Sequence, residues 1–167
     1  MDPGQEPDSS KYLIQGIGDG VQPLISFYYG AKKEDKIHIL YRKAFFVTIA
    51  VSLILCIAVV LFLNPLTALF GISDAIFEGA KTAILITTLS FPFLGITRVT
   101  SAIFYATEKT RNSTFLVYME PCLLLPLSLF ALSFLFQLNG IWMAYPAAQL
   151  ILCGIALFMK NPLHAPA

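Results

Sequence analysis

The chain has 167 residues, 57% of them hydrophobic and 13% charged, with a mean hydropathy of +0.74. A soluble domain carries about a quarter charged residues, and one soluble core does not hide this much apolar side chain, so the expected class is a multi-pass membrane protein. A net charge of +1 with no basic stripe along a helix leaves nucleic-acid binding without support.

In chain order, residues 1–10 (MDPGQEPDSS) are acidic, carry two prolines and lack apolar periodicity. They are expected to form a disordered tail, and they lack the basic start of a signal peptide. Lys11 to Tyr29 is expected to be helical, capped by Ser9 or Ser10 and stopping near Gly30. Ala44 to Leu63 is an uncharged run just long enough to cross the hydrocarbon core, ended by Asn64-Pro65. Phe70 to Lys81 is mixed and reads as an interfacial loop or short surface helix. Thr82 to Tyr105 is the next span, charged only at Arg98. A short turn follows, and then Ser113 to Leu138 spans again with Glu120 inside. Asn139-Gly140 is expected to make a tight turn, from which Gly140 to Met159 returns, and residues 161–167 form a tail. The expected fold is therefore all-α and integral to the membrane: one unit over residues 11–160, with about four full transmembrane helices and one incomplete N-terminal helix. Lys32, Lys33, Lys36, Arg42, Lys43, Lys109, Arg111 and Lys160 fall on one side of these spans. Lys81, joined by Lys11 if the first helix begins on that side, falls on the other. This bias places the loop at 30–43, the loop at 106–112 and the C-terminus in the cytoplasm.

Candidate chemistry concentrates in GIGDGVQPLISFYYGAKK, residues 16–33. Gln15, Asp19, Gln22 and Ser26 are spaced to share one helical face. Gly16 and Gly20 form a small-xxx-small pair on the adjacent face, where another helix is expected to approach. Pro23 has no N–H for the carbonyl of Asp19, so a carboxylate and a freed carbonyl lie within one turn, with two amides nearby. Asp19 sits about 15 Å in from Tyr29, near the bilayer midplane. An ionisable group at that depth reads as functional by default, and oxygens of this kind suit a hard cation or a proton. Asp19, Gln15, Gln22 and Pro23 are thus the ion-coupling candidates; the plainer alternative is that Asp19 only positions a neighbouring helix. The Gly16-Gly18-Gly20 string has no strand before it and no βαβ unit around it, so it is no nucleotide loop.

Arg98 and Glu120 lie eleven residues either side of Lys109. A hairpin turning there puts them at equal depth, as a structural or coupling ion pair. Pro92, Pro126 and Pro146 each remove a ladder hydrogen bond within a span, freeing the carbonyls of Thr88, Cys122 and Trp142. Cys56, Cys122 and Cys153 match no zinc or redox spacing and read as apolar packing residues. His38 and His164 lie in polar flanks. With no nucleophile–base pair, metal motif or phosphate loop, an enzyme is not expected.

The segment Gly16, Gly20, Gln22, Pro23, Leu24, Ile25, Ser26, Tyr29, Gly30 and Ala31 resembles the Gln-Pro…Tyr-Gly-Ala stretch of the multidrug and toxin extrusion (MATE) transporters, and the downstream rhythm of spans and basic loops over residues 12–160 is similar too. The resemblance implies the later part of the second six-helix lobe, hence a fragment or one part of a split transporter. It implies a cation-coupled antiporter of the plasma (inner) membrane that exports small amphiphilic, drug-like and often cationic compounds, with Na⁺ or H⁺ as coupling ion and no other cofactor. Its expected partners are membrane lipids and the remaining helices of the transporter or another copy. The alternative is a small membrane interaction subunit, or an inactive remnant, without transport of its own.

Overall fold

The computed structural model describes residues 9–65 and 74–160, and these are helical throughout apart from short turns. The expected tail residues 1–8 and 161–167, with His164, lie outside the described residues. Helix α1 (Ser9–Gly30) begins two residues ahead of Lys11 and runs through Pro23. It ends in a turn where Lys32 takes a positive φ of 54° and the amides of Ala31 and Lys33 return to the carbonyls of Phe27 and Tyr28. This is the left-handed closure that stops a helix by satisfying its last carbonyls.

Helix α2 (Glu34–Leu61) corrects the expected loop at 30–43. Only residues 31–33 form the turn, and the charged stretch that follows is already helical. Glu34 and Asp35 lie in the first turn, where carboxylates offset the positive end of the helix dipole. The basic residues from Lys36 to Lys43 then extend the helix beyond the uncharged core by almost three turns.

The expected span at 82–105 is two helices. Helix α3 (Asp74–Thr88) starts well before Thr82, and a break at Leu89-Ser90 separates it from α4 (Phe91–Ala106), with Pro92 in the first turn of α4. The Thr88 carbonyl, which Pro92 leaves without a partner, accepts the Cys56 thiol at 3.4 Å, and the Phe91 carbonyl accepts the Ser52 hydroxyl at 3.4 Å. Ser52 and Cys56 are one turn apart on α2, so one stripe of α2 clamps both sides of the break. Cys56 is thus a hydrogen-bond donor as well as a packing residue.

Helix α5 (Thr110–Met119) leads into a π-helical turn, Glu120–Leu124, and then α6 (Leu125–Lys160). Pro121 lies at the second position of the π turn and Pro126 just beyond its end. Neither has an N–H, and between them the Leu125 amide reaches back to the Glu120 carbonyl, so the ladder widens to i→i+5. The chain reverses inside α6 at Gln137, whose φ and ψ of 51° and −126° are not helical. The expected turn at Asn139-Gly140 therefore begins two residues too late. Gly140 serves close approach instead: a Cβ there would collide with the Leu132 carbonyl on the outgoing limb, so only glycine fits.

Helix α4 is the hub, packing against α1, α2, α5 and α6. Ile25, Tyr41, Ala44, Val99 and Ile103 form one core between α1, α2 and α4. Phe104, Leu116, Leu124, Ala148, Leu152 and Ala156 form another. Residues 144, 148, 152 and 156 are all fully buried, three of them alanines, so the returning limb of α6 presents mostly small side chains to α4 and α5, against which Phe104 and Leu116 pack. Three threonines inside the bundle satisfy their own hydroxyls: Thr88, Thr97 and Thr100 donate to the carbonyls of Ile84, Phe93 and Ile96 at 2.7–3.0 Å, which lets polar residues sit where water is absent. Phe27, Phe46, Leu61, Phe130, Phe134 and Phe158 are all more than half exposed, a surface made for lipid. Among the described residues, three stretches are long and apolar enough to cross a membrane, Glu34–Leu61, Gly79–Ala106 and Thr110–Lys160; the last folds back at Gln137 and so supplies two passes. At about 33 Å by helical rise, α1 is long enough as well, but its glycines, glutamines and aspartate make it less apolar than those three.

Candidate functional site

A groove of about 440 Å³ opens between α1, α4 and α5, lined by Asp19 and Gln22 from α1, Arg98, Ser101 and Tyr105 from α4, and Ser113 from α5. Its geometry begins with a glycine. Gly18 is buried against α4, where a Cβ would stand 3.4 Å from the Arg98 carbonyl and 3.6 Å from the Ala102 side chain. Asp19 follows it along the rim and is exposed; Gln22, one turn on, is half-buried. The expected close approach at Gly16 and Gly20 is not found within the described chain. Both face open space, and Gly18, which the sequence reading used only to dismiss a nucleotide loop, makes the contact.

The far wall is fixed by short polar bonds. The hydroxyls of Ser101 and Ser113 share a hydrogen bond of 2.9 Å, which draws α4 and α5 together one turn above Lys109. Deeper, Arg98 Nη2 lies 3.9 Å from Glu120 Oε2, with side chains 33% and 14% exposed. Gln149 Nε2 donates to Glu120 Oε1 at 2.7 Å. Gln149 is fully buried, and its own Oε1 has no hydrogen-bond partner among the described residues. Arg98, Glu120 and Gln149 therefore form a chain of polar groups from the groove into the space between the two limbs of α6 and α5. The π turn begins at Glu120 itself, so the backbone distortion and the buried carboxylate share one residue.

Of the sequence candidates, Asp19, Gln22 and Arg98 meet at one groove, and Glu120 joins through Arg98. Gln15 lies in α1, but its side chain is outside the described residues. Pro23 is exposed and does not line the groove, as is the case for Tyr29, Gly30 and the Ala31 turn residue at the basic end of α1. Gln149 and the Ser101–Ser113 pair were missed. A lone amide in an apolar run was the available signal for Gln149: in a span otherwise free of such groups, a fully polar side chain needs a partner.

The fold is that of an all-α, multi-pass membrane protein with a polar groove set among its spans. The MatE family model matches residues 10–130, well over half the chain, and the chain belongs to that family. Members of the MATE family are transporters. No curated protein and no solved structure matches the chain.

Proposed function

We propose that the chain forms part of a cation-coupled antiporter that exports small amphiphilic, often cationic compounds in exchange for Na⁺ or H⁺, and that the groove carrying Asp19 is the coupling-ion site. The observation that carries this reading is the meeting of Asp19 and Gln22 with Arg98 at one groove, with Glu120 holding Arg98 from the other side. A bare guanidinium beside Asp19 would repel a coupling cation. Glu120 offsets that charge, which leaves the Asp19 carboxylate and its neighbouring carbonyl to an incoming ion. Ser101 and Ser113 add hydroxyl oxygens on the opposite wall. Such a groove facing bare lipid would be costly, so further helices, of another chain or a second copy, are proposed to cover it and to pack on the open face at Gly16 and Gly20. The orientation follows the charge bias: inner membrane, with the C-terminus cytoplasmic.

The test is Asp19→Asn introduced at the chain's own chromosomal locus, so that every natural partner is present. Everted vesicles are loaded through imposed Na⁺ or pH gradients, and accumulation of a fluorescent lipophilic cation is followed alongside the amount of protein in the membrane. Loss of ion-driven transport at unchanged protein level is expected. Unimpaired coupled transport by the Asp19→Asn protein removes the site. A chromosomal deletion with no effect on any cation tested favours the interaction-subunit reading instead, which the open glycine face also suits.

A further inference from the structure

The basic end of the bundle carries a second groove, separate from the one above. It has a volume of about 360 Å³ and lies between the start of α2 and the end of α6, with His38, Tyr41, Arg42, Phe46, Leu157 and Lys160 in its lining. That volume is within the range of about 300–1,000 Å³ typical of small-molecule sites. Among the described residues its lining contains two full cations and no carboxylate. Both cations are held on aromatic faces: Lys160 Nζ lies 3.7 Å from the centroid of the Tyr41 ring, and the Arg42 guanidinium 5.9 Å from that of Phe46. A cation on a ring face is positioned while its N–H groups stay available to an anion. Tyr41 adds an independent sign. It is 8% exposed, and its hydroxyl has no hydrogen-bond partner among the described residues. A buried hydroxyl left unpaired is costly; Tyr41 lines the groove, and a small side-chain rearrangement on binding would bring its hydroxyl to an acceptor carried by an anion.

We infer that this groove binds the phosphate headgroup of an anionic phospholipid. Arg42 and Lys160 would flank the phosphate, the Tyr41 hydroxyl would donate to one of its oxygens, and the acyl chains would run over the apolar surface below. The apolar lining selects a lipid over a free phosphate: Phe46 and Leu157 continue from the groove onto the lipid-facing surface, where Phe46 is 58% and Phe158 78% exposed. Basic sites between helices at the membrane edge recognise headgroups in this way.

The full chain, purified in a neutral detergent, tests this. Phosphatidylglycerol, phosphatidylcholine, glycerol 3-phosphate and inorganic phosphate are titrated separately, with retained lipid read by native mass spectrometry and thermal shift read in parallel. Phosphatidylglycerol is expected to be retained and to raise the melting temperature, and the other three to do neither. Arg42→Gln with Lys160→Gln is expected to weaken phosphatidylglycerol binding about 30-fold, from the attraction of two cations near a headgroup. Lys109→Gln with Arg111→Gln, at the same end but outside the groove, should weaken it less than threefold. Equal losses in the two double variants would reduce the effect to bulk charge and overturn the site. Stabilisation by inorganic phosphate as strong as by lipid would overturn the lipid assignment. If the Arg42/Lys160 variant does not fold, Tyr41→Phe decides, since it removes only the unpaired hydroxyl: a loss of about threefold or more in lipid affinity supports the site, and unchanged affinity overturns it.

Discussion

Replacing Glu120 by glutamine removes one charge from the Arg98–Glu120–Gln149 chain and keeps its shape. At 3.9 Å, two unit charges attract by about 4 kcal/mol at an effective dielectric near 20. The Arg98 side chain is 33% exposed, so solvent screening and the hydration that the guanidinium regains leave about 1 kcal/mol of that as net stabilisation. The bond from Gln149 at 2.7 Å survives the substitution but loses its charge assistance, a further ~1 kcal/mol. Polar contacts between membrane helices average below 1 kcal/mol because the unfolded chain in the bilayer also finds partners. The expected loss for Glu120→Gln is therefore about 1–2 kcal/mol. Reversible unfolding in mixed micelles of mild detergent and dodecyl sulfate measures it, and the single tryptophan, Trp142, on the returning limb of α6 is the natural probe. Arg98→Gln completes a double-mutant cycle with an expected coupling near 1 kcal/mol. A coupling indistinguishable from the ~0.4 kcal/mol scatter of independent sites would show that Arg98 and Glu120 do not stabilise each other.

Gly140→Ala is expected to cost about 3 kcal/mol or more, because its new methyl meets the Leu132 backbone rather than a movable side chain; folded yield in detergent checks it. Gly16→Ala, with nothing within 4 Å, is expected to stabilise the isolated chain by about 0.5–1 kcal/mol through helix propensity, read by the same unfolding assay. Thr48 is fully buried with an unpaired hydroxyl, so Thr48→Val should be neutral or stabilising by up to about 1 kcal/mol; a clear destabilisation would mean that the hydroxyl has a partner in the membrane. Single cysteines at Lys33, Lys109 and Lys160 are expected to resist an impermeant thiol reagent in intact cells, and labelling of all three would invert the proposed topology.

Much of the helix layout was legible because it rests on local chemistry. Uncharged runs of about twenty residues and lysine-rich turns mark spans and ends whatever packs against them. The errors cluster where tertiary contact decides. Locally, only the two acids at its start favour a helix over a loop at 34–43, and the Tyr41 and Ala44 contacts with α4 hold it. The reversal at Gln137 lacks the usual glycine or asparagine signal, and the nearby Asn139-Gly140 pair carries that signal but meets a different need, the close packing of two antiparallel limbs. For the site, equal spacing from Lys109 was enough to place Arg98 beside Glu120. Gln149 was out of reach, because its partner lies 29 residues away and their alignment depends on where the chain turns.

The prolines show most clearly what sequence supplies and what it withholds. Each announces a carbonyl without its helical donor but says nothing of what replaces it. At Pro92 the replacement is the Cys56 thiol reaching Thr88 from α2. Between Pro121 and Pro126 the ladder itself changes register, with the Leu125 amide bonding to Glu120. At Pro23, inside α1, the carbonyl that loses its ladder donor belongs to Asp19. That carbonyl shares its residue with a carboxylate at the rim of a polar groove, and the proposed coupling site uses both groups, which would bind the ion in one state of the bundle and release it in another. Pro23→Ala separates ion binding from a packing kink: it restores the ladder bond to Asp19, and it should weaken ion-driven export less than Asp19→Asn while making α1 more stable. If Pro23→Ala instead destabilises the bundle and leaves coupling intact, the proline shapes the helix and the carbonyl has no part in binding the ion.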